Sequence, residues 1–189
     1  MKRIISFILS LCLLAGLDGC ASKSESKPSS QSEEKILVVY FSATGNTKKL
    51  AERIADLEGA DIYEITPKDP YTEEDLKYDD ENCRSALEQK DEASRPEIAG
   101  DPINVKDYTK IYIGFPIWYG QEPRIIDTFM ESYDFSGITM IPFCTSGGSG
   151  IHQSRSNLEK LAKYANWNAG DRMDPDIDKK DLQSWVDRY

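Results

Sequence analysis

An apolar run, a turn dense in hydroxyls and an amphipathic stretch follow one another without a spacer between Lys35 and Ala55. Lys35-Ile36-Leu37-Val38-Val39-Tyr40-Phe41 is a nearly continuous apolar block, the pattern of a strand covered on both faces. From Lys48 to Ala55, Leu50, Ala51, Ile54 and Ala55 recur at helical spacing. The turn between them, Ser42-Ala43-Thr44-Gly45-Asn46-Thr47, is therefore a strand-to-helix junction. A helix N-terminus carries unpaired N–H groups and a partial positive charge, and so favours an anion. Ser42, Thr44, Asn46 and Thr47 add neutral donors there, and Gly45 adds backbone freedom, which suits a phosphate monoester. The same residue types are also good helix caps. A nucleoside triphosphate would call for Lys and Mg²⁺, and neither G-x-x-x-x-G-K-[ST] nor G-x-G-x-x-G occurs.

The rest of the chain keeps alternating. Ala60–Ile65 reads as a short strand ended by Pro67 and Pro70. Tyr71–Glu92 is acidic and reads as one or two surface helices broken near Asp79-Asp80, with Tyr71, Leu76, Tyr78 and Leu87 turned inward. Lys110–Pro116 is a buried strand, Arg124–Met130 a helix and Ile138–Thr145 a further strand. Pro142 removes one ladder donor from that strand and predicts a bulge or an edge register. A helix through Leu158–Tyr164, a brief strand within Ala165–Met173 and a closing helix over Asp178–Arg188 complete the order. In the closing helix Leu182, Trp185 and Val186 face inward. Alternation of this kind implies parallel pairing, right-handed crossovers and helices on both faces of one sheet.

The Ser42–Thr47 turn after the first strand resembles the [ST]-x-T-G-x-T loop of the flavodoxins. The resemblance implies an α/β three-layer sandwich with a five-stranded parallel sheet in the order 2-1-3-4-5, and FMN as cofactor. Its phosphate would rest on Ser42, Thr44, Gly45, Asn46 and Thr47. Pro116-Ile117-Trp118-Tyr119-Gly120 would carry the ring, with Trp118 or Tyr119 stacking on it and Gly120 as the peptide that responds to reduction. Thr145, Ser146, Gly147, Gly148 and Gly150 would offer backbone groups to the ring's polar edge. No Phe, Tyr or Trp stands between Phe143 and Tyr164, so one ring face is expected to be open. His152, just past the glycines, reads as a solvated first-turn residue that could also reach the ring edge.

Ahead of this domain, Met1-Lys2-Arg3 and the apolar run from Ile4 to Ala15 have the charge and length of a secretory signal. The run is shorter than the ~20 residues of a comfortable membrane span. Leu17-Asp18-Gly19-Cys20 resembles a bacterial lipobox, with Asp18 departing from its small or apolar pattern. The resulting organisation is a signal peptide over 1–19, a lipidated Ser-rich tether over 20–34 and a flavodoxin-like domain over 35–189, with Cys20 as the lipidated residue. Cys83 and Cys144 then remain as free thiols, and neither a C-x-x-C pair nor a His cluster offers a metal site.

The formal net charge of -10 argues against nucleic acid and against direct adhesion to anionic lipid. The leading expectation is an FMN-dependent electron-transfer protein exported and lipid-anchored to a bacterial membrane. A basic redox protein or a small electron acceptor would be its partner, and the lipid its sole contact with the membrane. The alternative is an FMN-dependent NAD(P)H or quinone reductase working at the open ring face.

Overall fold

The computed structural model describes residues 34–189, so the signal segment, Cys20 and the tether up to residue 33 lie outside the described residues. Strand β1 (Ile36–Tyr40) leads through the hydroxyl-rich turn into α1 (Asn46–Glu58). β2 (Asp61–Glu64) follows, then the short β3 (Thr66–Pro67), α2 (Arg84–Lys90) and the short β4 (Ile98–Ala99). β5 (Lys110–Pro116), α3 (Arg124–Ser132), β6 (Thr139–Thr145) and α4 (His152–Leu161) come next. Two-residue strands β7 (Asn166–Trp167) and β8 (Asp171–Arg172) precede α5 (Lys179–Val186).

The main sheet is parallel and runs β2-β1-β5-β6, with β7 and then β8 sharing the outer side of β6. β3 and β4 form a separate antiparallel pair. With that pair set aside, the order is the expected 2-1-3-4-5, the fifth place being filled by two fragments.

Period-two alternation along β1 decides the layers. Leu37, Val39 and Phe41 face one core with Ile125, Ile126 and Phe129 of α3 and Leu158 of α4. Val38 and Tyr40 face the other with Leu50 and Ile54 of α1 and Leu182, Trp185 and Val186 of α5. Burial of these side chains, each contributing about 1.5–3 kcal/mol, holds the three layers together. Among the described residues no helix is long and apolar enough to cross a membrane.

β2 ends at Glu64, ahead of Pro67, as expected, and Pro67 itself pairs with Ile98 in the small antiparallel pair. Two local expectations change. Tyr78 and Leu87 are 55% and 51% exposed, and Cys83, Ser85, Ala86 and Gln89 turn inward in that region instead.

Pro142 makes no bulge against β5, since the register runs unbroken through Ile113↔Pro142. On the outer side of β6 the carbonyls of Ile138, Met140 and Cys144 accept from Asn166, Asn168 and Met173. Pro142 falls on the same side, at the interruption between β7 and β8, so its absent N–H costs nothing. The detour there brings Gly170 against Pro142: a Cβ on Gly170 would stand 2.0 Å from the Pro142 carbonyl oxygen, and its φ is +66°. Only glycine fits that approach.

Candidate functional site

The turn after β1, the segment after β5 and the segment after β6 meet at the carboxyl edge of the sheet. There they enclose a cavity of about 330 Å³ lined by Thr44, Asn46, Tyr78, Pro116, Ile117, Trp118, Thr145, Ser146, Gly147 and Pro175. This is the crevice where strand order reverses between β1 and β5, the general ligand position in open parallel sheets.

At one end stands the N-terminus of α1. Gly45 is its N-cap in the left-handed region, no side chain caps the helix, and no acidic residue occupies its first turn. The hydroxyls that looked like caps are engaged elsewhere. Ser42 Oγ accepts from the Gly45 N–H at 3.1 Å, and Thr44 Oγ1 accepts weakly from Asn46 Nδ2 at 3.4 Å. Thr47 is buried, and its hydroxyl pairs with that of Thr145 at 2.8 Å, tying the first loop to the third. The first intrahelical bond runs from Lys49 N–H to Gly45 C=O, so the N–H groups of Asn46, Thr47 and Lys48 are free for a ligand. An exposed, uncapped N-terminus facing a cavity fits a phosphate group.

The middle of the site is a two-residue hairpin. Trp118 and Gln121 exchange both backbone hydrogen bonds, at 2.8 and 3.1 Å, around Tyr119 and Gly120. Positive φ at both central positions, +48° and +89°, makes this a type I′ turn. Tyr119 is the one non-glycine at positive φ among the described residues, a strain of the kind that collects at ligand sites.

Trp118 is only 4% exposed; it packs edge-on to Phe41 and Tyr71 and shows the cavity little of its surface. Tyr119 is 41% exposed and stacks on Tyr78 with centroids 4.8 Å apart. The Tyr78 hydroxyl donates to the Ile117 carbonyl at 2.9 Å, holding that ring at the cavity.

Of the expected residues, Thr44, Asn46, Pro116, Ile117, Trp118, Thr145, Ser146 and Gly147 line the cavity. Ser42, Gly45 and Thr47 support its wall, Tyr119 and Gly120 form the exposed turn, and Gly148 and Gly150 lie further out along an exposed loop. Tyr78, expected only as an inward contact of the acidic stretch, and Pro175 join the lining. No periodic signal marks Tyr78, which sits in an acidic irregular stretch, and Pro175 reads as a plain turn residue between two aspartates.

His152 is an exposed first-turn residue of α4. Both thiols are free. Burial pushes the Cys144 thiol up to about 12, which makes it inert. Burial would also raise Cys83, but hydrogen bonds involving Ser85, the Ala86 N–H and Tyr119 outweigh it and lower that thiol.

The flavodoxin family model matches residues 35–189. The chain belongs to the flavodoxin family. Among solved structures, a protein designated a flavoprotein from Bacteroides eggerthii DSM 20697 is 42% identical, with a TM-score of 0.76 over 82% of this chain and 96% of its own. A similarly designated protein from Bacteroides uniformis ATCC 8492 is 40% identical, with a TM-score of 0.78 over 82% and 98%. A flavoprotein from Lactobacillus acidophilus NCFM, solved in complex with FMN, is 26% identical, with a TM-score of 0.59 over 82% and 98%. No curated protein matches the chain. In this flavodoxin the segments after the first, third and fourth main strands, those expected from the resemblance to carry the site, line one cavity.

Proposed function

We propose that this flavodoxin binds FMN in the cavity at the β1–β5 crevice and serves as an electron carrier. The uncapped N-terminus of α1 at one end of the cavity carries this reading, because it offers backbone donors and no competing carboxylate to a phosphate monoester. Family membership and the FMN-bound Lactobacillus relative support it. Bound FMN supplies one- and two-electron redox chemistry. Thr44 and Asn46 would hold its phosphate, Ile117, Trp118 and Tyr78 would offer apolar surface to the ring, and Ser146 and Gly147 would meet its polar edge. Carboxylates on an acidic protein oppose added negative charge on the ring and favour a low potential. A basic redox protein or a small acceptor is the matching partner.

Thr44→Ala and Asn46→Ala are each expected to weaken FMN far more than riboflavin. A hydrogen bond to a charged group contributes about 1.5–3 kcal/mol, so the FMN dissociation constant should rise roughly tenfold or more while that of riboflavin hardly moves. Titration by flavin fluorescence checks this, and equal losses for both ligands would show that the α1 terminus does not hold the phosphate. Rapid direct oxidation of a nicotinamide by the flavin-loaded protein would instead assign the reductase activity.

The location of the carrier rests on the lipobox-like Leu17–Cys20. A lipid on Cys20 would tether it outside the cytoplasmic membrane. Full-length protein in a bacterial host should then partition with membranes, and Cys20→Ser should release it or block processing. Should the Cys20→Ser protein still be processed and stay in the membrane fraction, the lipid assignment fails, with Asp18 as the evident reason.

A further inference from the structure

A buried polar cluster beside the hairpin is left incomplete by the proposed flavin site. Among the described residues the buried side-chain atoms without a hydrogen-bond partner are Gln89 Oε1, Glu122 Oε2, Arg124 Nε, Asp127 Oδ1 and Ser154 Oγ. All belong to the neighbourhood of Glu122, between the hairpin, α3 and α4. Folded proteins leave few such groups unpaired, so their gathering in one place calls for a cause.

Glu122 is 0% exposed and Asp127 3%. Glu122 Oε1 accepts from Asn157 Nδ2 at 3.0 Å, and Asp127 Oδ2 accepts from Arg124 at 3.1 Å. The side chains of Glu122 and Asp127 interact directly. Arg124 links the two residues as well, donating to Asp127 and to the backbone carbonyl of Gln89, whose side chain donates to the Glu122 carbonyl, and each carboxyl has its second oxygen unpartnered. Two carboxylates can only accept, so as anions they cannot satisfy one another. One proton between them does.

We propose that Glu122 and Asp127 share a single proton, with Glu122 as the acid donating to Asp127, and that Glu122 is thereby a positioning residue for the hairpin that borders the flavin cavity. The assignment within the pair follows from the cations. Arg124, at 3.1 Å, and Arg95, at 3.9 Å, both serve Asp127, whereas among the described residues no cation lies in ion-pair range of Glu122. Arg95 is otherwise engaged by Glu131, and Glu92 and Lys160 line the adjoining cavity of about 340 Å³. Gln89 from α2 and Asn157 and Ser154 from α4 are the neutral neighbours. Burial lifts Glu122 to about 7, well above the ordinary glutamate range, and raises Asp127 too, against the opposing pull of Arg124.

Glu122 reaches the hairpin by two amide bridges. Asn157 Nδ2 donates both to Glu122 and, at 3.1 Å, to Gln121 Oε1. Gln89 Nε2 donates both to the Glu122 carbonyl, at 2.8 Å, and to the Trp118 carbonyl, at 3.1 Å. Loss of the shared proton leaves two buried carboxylates facing each other, and these bridges pass the repulsion to Trp118 and Gln121. The sign is fixed by linkage. A carboxyl held above its unfolded value stabilises the fold fully below that value, and the stabilisation is lost as pH rises through about 7.

The structural part of the inference stands on flavin-free protein, and only its bearing on flavin rests on the function proposed above. Hydrogen exchange of the Trp118 and Gln121 amides, corrected for intrinsic pH dependence, should lose protection in the wild type by up to about tenfold per pH unit as pH rises from the ordinary glutamate range to about 7, and level off above it. In Glu122→Gln, which keeps a donor for Asp127 and an acceptor for Asn157, protection should be flat with pH. Matching profiles for the two proteins would overturn the proposal. If the variant does not fold, titration of the Glu122 carboxyl carbon by NMR in the wild type decides, because a midpoint in the ordinary glutamate range also overturns it. A flat Gln profile in a protein that binds no FMN would overturn the flavin site and leave the shared proton in place.

Discussion

Replacing Trp118 with alanine is expected to cost the flavin-free protein about 3–5 kcal/mol of stability, the range for emptying a buried tryptophan site. For a chain of this size that corresponds to a fall in the thermal midpoint on the order of 10 °C. The size follows from its setting: Trp118 stands edge-on to Phe41 at 5.6 Å and to Tyr71 at 5.0 Å, in a wall that no neighbouring side chain can refill. Tyr119→Ala should cost far less, about 0.5–1.5 kcal/mol, because it removes one exposed stacking contact with Tyr78. Denaturant unfolding of both variants without flavin separates the roles of the two aromatics. Equal losses would mean that Trp118 is a ligand platform and not part of the core. In the loaded protein, persistence of the tryptophan quench in Trp118→Phe would assign stacking to another ring.

Gly170→Ala is the second large effect, expected near 3 kcal/mol. A Cβ there would lie 2.0 Å from a backbone oxygen that belongs to a central strand and cannot yield. Crowding of this kind costs about 1–3 kcal/mol, and a left-handed alanine adds about 1–2 kcal/mol. Gly147→Ala is the matching control. Nothing lies within 4 Å of a Cβ at Gly147 and its φ is not positive, so the flavin-free protein should change by no more than about 0.5 kcal/mol. Urea midpoints for the two variants check the contrast. A Gly170→Ala protein as stable as Gly147→Ala would show that the β7–β8 connection moves away from Pro142 at little cost.

Much of this architecture is legible from periodicity. β1, β5 and β6 are apolar blocks because both their faces are covered, and α1 and α5 show helical spacing because each covers one face. The strand order came from the resemblance, since pairing partners leave no local mark.

The acidic region is harder. A 3₁₀ turn at Glu74–Leu76 and the short α2 have no sustained period, so Tyr78 and Leu87 were placed inward on hydrophobicity alone. Tyr78 reaches the cavity through its hydroxyl bond to Ile117, a contact across 39 positions of sequence. The loops around the cavity were legible because hydroxyls, glycines and aromatics concentrate there. The Glu122 cluster was not. A glutamate before Pro123 at the head of an amphipathic helix looks like a solvated first-turn acid, and its partners Gln89, Asp127 and Asn157 come from three separate helices.

The broken outer strand bears on how these molecules behave toward one another. An exposed strand edge invites a second chain to add its own strand, the first step of sheet-to-sheet aggregation. Here one border offers only β7 and β8, two residues each, with the Gly170 detour between them. At the opposite border β2 is four residues long and carries Asp61 and Glu64 at its ends, each held by a lysine and a tyrosine. A neighbour arriving on either side meets a ladder too short to nucleate or a pair of carboxylates to desolvate. Both borders of the sheet therefore resist the addition of a strand from a second chain.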